Sequence, residues 1–201
     1  MIFTDMSSLF SDEVDKIVFG IKEAIFTINQ YVNTVFRTKE MLFELREDIT
    51  IICDFWSGKT YVGSPKNTKV KAAFQEFFED LMQLLIVLKH NGNNDEQRFA
   101  NSMLYRGTIY RYLGNCSPSK KRIKPKYESI YVSWSKSPEN RYLLSKLYGP
   151  VTWMSCEIKE PLYGIDLQAI GCSRANEQEV VFPTIKQCIT EIKYISEGND
   201  E

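Results

Sequence analysis

Glu177 and Glu179 stand two apart in the polar stretch Cys172-Ser173-Arg174-Ala175-Asn176-Glu177-Gln178-Glu179. The β-formers Val180, Val181 and Phe182 follow at once, and Pro183 stops them. Side chains at i and i+2 of an extended chain share one face, roughly 7 Å apart. This spacing aims two carboxylates into one space at the mouth of a strand. Carboxylates so placed stabilise a positive charge that develops in a transition state more than they stabilise the ground state. A solvated turn with two surface acids has the same spacing.

Two other segments add chemistry. Arg106 precedes Gly107 in the strand-like run Ser102-Met103-Leu104-Tyr105-Arg106-Gly107-Thr108-Ile109-Tyr110. A guanidinium offers a rigid planar donor fork suited to phosphate. Ser133 and Ser135 flank Trp134 at the end of a second such run. Ser133 follows Arg106 by 27 residues, and Glu179 follows Ser133 by 46.

This order resembles the Arg-Ser-Glu class of mono-ADP-ribosyltransferases. Those enzymes carry a strand Arg followed by Gly, a strand Ser-Thr-Ser and a Glu-x-Glu turn. The resemblance covers about residues 94–195. Trp134 departs from it, standing where the family usually has Thr. Small bacteriophage enzymes and bacterial toxins of the family have Glu-Gln-Glu segments, followed by three apolar residues and Pro, much like residues 177–183.

The resemblance implies a fold, a substrate and roles. The fold would be α+β, with a split core of two mixed β-sheets and an N-terminal helical lobe. NAD+ would be a substrate bound in the cleft, and no metal would be needed. Glu179 would be the catalytic carboxylate, bonded to the 2′-hydroxyl of the nicotinamide ribose. Ser133 would orient Glu179, with Ser135 in support. Arg106 would hold the phosphates or the adjacent ribose. The Gly107 backbone would hold the nicotinamide amide. Glu177 would position the acceptor, and Glu at that place favours protein arginine over other acceptors. RNA or DNA as acceptor, water as acceptor in an NAD+ glycohydrolase, and a non-catalytic helical interaction module stay open. Toxin-like members also imply a neutralising antitoxin or immunity protein as partner.

Other chemistries fit poorly. The single histidine, His90, argues against Ser-His-Asp and Cys-His machinery. It falls at an apparent helix end, where a surface or capping role is expected. The five cysteines are widely spaced with no Cys-x-x-Cys, so they read as free thiols, mostly in the core. Gly58-Lys59-Thr60 ends like a P-loop, but Cys53 occupies the position that needs glycine.

The net charge of −1 hides an asymmetry. Residues 1–100 carry 11 basic and 15 acidic side chains, residues 101–150 carry 10 and 2, and residues 151–201 carry 4 and 9. The basic middle peaks at Lys120, Lys121, Arg122, Lys124 and Lys126. Such a run attracts the phosphates of NAD+ or of a nucleic acid. No membrane-spanning apolar run and no basic signal-peptide n-region are visible, so a cytoplasmic protein with no membrane partner is expected.

Two blocks must position these residues. Residues 1–100 read as a helical lobe and 101–201 as a β-rich core, which by the resemblance would be the NAD+-binding catalytic core, the two forming one integrated domain. Helices are predicted from Ser11 as N-cap, from about Thr38 toward Phe55, and from about Asn67 to Lys89, closed by Gly92. Strands are predicted at 103–110, 127–134, 151–158, 163–170, 179–182 and 187–195, with a short helix at about 138–148.

Overall fold

Apolar residues at helical spacing become the buried stripes of three long helices in the computed structural model. It describes residues 6–57, 67–114, 130–139, 151–172 and 178–195. Helix α1 (Met6–Asn33) buries Ile21, Ala24, Ile25, Ile28 and Tyr31. It is already helical at Ser11, so that residue does not cap it. Helix α2 (Lys39–Ser57) buries Leu42, Leu45, Ile49, Ile52 and Cys53. Its β-branched tail stays helical because packing outweighs a weak local propensity. Thr38 Oγ1 caps it, accepting from Met41 N at 3.3 Å.

Helix α3 (Thr68–Asn91) starts at Asn67, whose side chain accepts from Val70 N at 3.2 Å. Gly92 ends it, as expected, but with φ −78° and not in the left-handed conformation. Glycine is needed there for another reason. A Cβ would lie 2.4 Å from Leu88 O and 2.8 Å from Glu96 Cβ. His90 is exposed in the last turn of α3.

A fourth helix, α4 (Asn94–Met103), falls where the sequence pattern reads only a transition toward strands. Its start is a capping box. Asn93 Oδ1 accepts from Glu96 N at 3.0 Å, and Glu96 Oε2 accepts from Asn93 N at 2.7 Å. The Glu96 carboxylate is 1 % exposed and also takes Tyr31 Oη at 2.7 Å and Arg37 Nε at 2.8 Å. Burial first, then Glu96, hold the Tyr31 hydroxyl well above its ordinary pKa.

The second half of the chain alternates apolar and polar residues and forms strands. These are β1 (Leu104–Tyr105), β2 (Gly107–Gly114), β3 (Tyr131–Ser135), β4 (Val151–Ile158), β5 (Gly164–Asp166), β6 (Glu179–Pro183) and β7 (Ile189–Ile195). They make one sheet in the order β1-β5-β6-β3-β2-β4-β7, antiparallel at every pair. This differs from the two mixed sheets expected. The sheet is nevertheless joined at its middle by one registered pair, Tyr110 with Ser135.

The sheet must also curl. Only Arg106 separates β1 from β2, yet three strands lie between them in the sheet. A flat sheet would put them about 19 Å apart, four steps of about 4.8 Å. One linking residue reaches about 7 Å. Inside the sheet Ile109, Trp134, Met154, Cys156, Ile158, Val180 and Phe182 form the core.

Three predicted strands are cut shorter by local chemistry. The run at 103–110 breaks at Arg106. The run at 163–170 becomes a 3-10 turn at Leu167, because Asp166 caps Gln168 N at 3.0 Å and left-handed Gly171 closes it. The last run is a 3-10 turn, Lys186–Cys188, before β7 begins. The predicted helix at 138–148 lies outside the described residues from position 140 onward. By contacts the chain divides into two compact units, Met1–Ala100 and Asn101–Glu201. Among the described residues, no helix is long and apolar enough to cross a membrane.

The Glu96 node yields a stability prediction. Glu96→Ala leaves Arg37, the Tyr31 hydroxyl and the Asn93 N–H without their acceptor. It should destabilise the helical unit by about 3–5 kcal/mol, the range for breaking a buried ion pair. Tyr31→Phe, which removes one neutral donor, should cost about 1 kcal/mol. Urea unfolding of the three proteins measures both, and equal losses would contradict a charge-centred node.

Candidate active site

The antiparallel ladder between β3 and β6 brings the distant serines and Glu179 together. Ser133 opposes Val181, Trp134 opposes Val180, and Ser135 opposes Glu179. Residues directly opposite in a ladder point to one face, and the face alternates along each strand. Ser133, Ser135, Glu179 and Val181 therefore share a face. Trp134, Val180 and Phe182 share the other, which is the core.

Trp134 is 3 % exposed, and its Nε1 donates to Phe182 O at 3.0 Å. The departure from Ser-Thr-Ser thus falls on the packing face and leaves the serine face untouched.

Glu179 is the first residue of β6 and is 5 % exposed. A nearly buried carboxylate needs a donor. Ser133 Oγ supplies one, donating to Glu179 Oε1 across the ladder. Ser135 does different work. Its Oγ accepts from Ser137 N at 3.1 Å and shapes the bend that ends β3.

The strand is also tied from behind. Lys136 N donates to Gln178 O at 3.0 Å, extending the β3–β6 contact past Glu179. Lys136 Nζ meets Asp166 Oδ2 at 2.7 Å, with both side chains mostly buried. Burial and then Asp166 raise the pKa of nearby Tyr105.

Gln178 corrects one premise of the sequence reading. Its φ is +45°, so the chain is not extended between Glu177 and Glu179. The simple i, i+2 face rule does not apply across that residue. Glu177 itself lies outside the described residues, as do Cys116 and the basic run at 120–126.

Arg106 is held through residues outside this ladder. Its Nε donates to Leu162 O at 3.2 Å, its guanidinium lies 4.0 Å over the Tyr163 ring, and Nη1 is 3.7 Å from exposed Glu160 Oε2. These contacts fix it to the turn between β4 and β5, and none of them reaches Glu179. Gly107, the next residue, has φ +138°, and a Cβ there would lie 2.8 Å from Tyr105 Oη.

Arg111 was not singled out from the sequence. Its Nη1 donates to Ser133 O at 3.3 Å, across the seam where β2 and β3 share one registered pair. Burial lowers its pKa. An Arg in a strand of otherwise apolar and aromatic residues was the available signal. Among the described residues, no group of three His, Cys, Asp or Glu is placed to hold a metal ion.

Ser57 ends α2, so Gly58-Lys59-Thr60 follows a helix, where a P-loop follows a strand. Residues 58–60 themselves lie outside the described residues. No protein-family model, curated protein or solved structure matches this chain.

Gly107 offers a direct check of the local geometry. Gly107→Ala forces an L side chain into a conformation held by the surrounding strands. The expected loss is about 1–3 kcal/mol, read as a lower denaturation midpoint. A neutral effect would mean that the link from β1 to β2 does not need its left-handed backbone.

Proposed function

We propose that this chain is a mono-ADP-ribosyltransferase. It would cleave NAD+ at the nicotinamide–ribose bond and transfer ADP-ribose to a macromolecular acceptor, with protein arginine as the favoured class. The observation that carries this reading is the hydrogen bond from Ser133 to nearly buried Glu179. The sequence pattern named this pair 46 positions apart, and the β3–β6 ladder makes them neighbours. The seam between β2 and β3, one registered pair wide, is consistent with a split core.

The chemistry follows from charge. Nicotinamide in NAD+ is a cationic leaving group and departs neutral, so it needs little help from a general acid. The ribose left behind resembles an oxocarbenium ion, as in glycoside hydrolysis. Glu179 would stabilise that cation and accept from the 2′-hydroxyl. Ser133 would restrict the carboxylate to one orientation, which lowers the reorganisation needed at the transition state.

Arg106 would meet the phosphates. Its present partner Glu160 is an exposed acid at 3.7 Å, a kind of ion pair worth little and readily exchanged. Gly107 would admit the nicotinamide amide close to the backbone. Glu177 would position the acceptor nucleophile.

The two glutamates separate by experiment. Glu179→Gln should abolish both nicotinamide release and acceptor labelling, a loss on the order of 10²–10⁴ in rate. Glu177→Gln should spare much of the hydrolysis and lose far more of the transfer, because water needs less positioning than a macromolecular nucleophile. Both activities are read side by side on labelled NAD+ in a lysate. Label removed by protease supports a protein acceptor. Unchanged activity in both variants would refute the transferase reading.

The charge pattern favours nucleic acid as a second acceptor class, since residues 101–150 carry 10 basic and 2 acidic side chains. In that case nuclease removes the label. Transfer then falls steeply with added salt, through counterion release. Neutralising Lys120, Lys121, Arg122, Lys124 and Lys126 would weaken transfer and leave NAD+ hydrolysis nearly intact. Salt-insensitive transfer by the neutralised variant would remove the nucleic-acid reading.

A further inference from the structure

Strands β4 and β7 pair with a register shift beside Cys156, which falls opposite Ile189. The preceding residue is Cys188, at the end of the 3-10 turn, with its N–H bonded to Ile185 O at 3.0 Å. Cys188 packs against the core cluster that contains Cys156. Cys188 lies close enough to Cys156 to act on its thiol, and both are free. Cys156 is fully buried, whereas Cys188 is half-buried. We infer that Cys156 and Cys188 form a dithiol pair, between strand β4 and the turn before β7, that a small-molecule disulfide converts to an intramolecular disulfide.

The geometry suits that bond. A disulfide needs Cα atoms within about 7 Å, and Cys188 adjoins Ile189, the residue that faces Cys156 across the β4–β7 pair. Accessibility sets the order of steps. The Cys188 thiolate, on the more exposed side, attacks one sulfur of the reagent disulfide. That S–S bond breaks, and one reagent thiolate leaves and takes a proton. Cys156 then gives its proton to water or to a released thiolate. Its sulfur attacks Cys188 Sγ and expels the second reagent thiol. Two protein thiols lose two electrons and two protons, and the reagent disulfide is reduced to two thiols.

Burial, and then the neighbouring Cys188 thiol, push Cys156 up to about 12. Burial, the larger cause, persists when Cys188 is in the mixed disulfide, so the second step speeds up as pH rises. The pair is independent of the NAD+ reading, because neither thiol belongs to the Ser133–Glu179 ladder.

The test is exposure of the folded full chain to oxidised glutathione, followed by non-reducing peptide mapping. Expected are the loss of two titratable thiols, a linked peptide containing Cys156 and Cys188, and a melting temperature above that of the reduced chain. Cys188→Ser should abolish the link. Cys156→Ala should trap a lasting glutathione adduct on Cys188. The map of the parent chain decides alone if a variant fails to fold. A persistent adduct on Cys188 in the parent, a link between other cysteines, or no reaction before denaturation would each overturn the inference.

Discussion

The ladder between β3 and β6 is the constraint on which the candidate site depends. It is five residue pairs long and joins segments far apart in the chain. A slip of one residue would swap every side chain to the opposite face. Trp134 would then leave the core and the serines would enter it. The apolar cost of that exchange fixes the register, and the register fixes Ser133 beside Glu179. The hydrogen bond between them is thus held by packing on the far side of the sheet.

A second constraint acts at Arg106. A link of one residue between β1 and β2 rolls the sheet and brings its β1 edge back toward the start of β2. The same residue is stacked on Tyr163. Its backbone position and its side-chain position are therefore set by different parts of the sheet. Arg111 completes the picture by tying β2 to the β3 backbone where the ladder itself is thin.

Much of this was legible in the sequence. Helical stripes such as Phe74, Phe77, Phe78, Leu81 and Leu85 fall on the buried face of α3. Strand β4 has the predicted bounds. The pairing of Ser133 with Glu179 followed from the resemblance, since no local pattern reports contact across so long a stretch. Other features depended on tertiary context. Helix α4 is short and very polar, and its capping box is completed by Tyr31 and Arg37 from elsewhere in the helical unit. The 3-10 turn after Asp166 looked like strand because Leu167 and Ile170 are apolar, while its cause is a side-chain cap. Strand polarity and sheet order have no local signature, so the antiparallel order of the described strands was not legible in the sequence. The left-handed Gln178 was equally hidden, because glutamine gives no warning of that backbone.

Strand β3 divides its positions by parity, and this bears on how the sequence can drift. Substitution at Val132 and Trp134 is judged by volume and shape, because those side chains face the core. Substitution at Ser133 is judged by its ability to donate a proton to a carboxylate. The two tests are independent, because one acts through the core face and the other through the opposite face of the same strand.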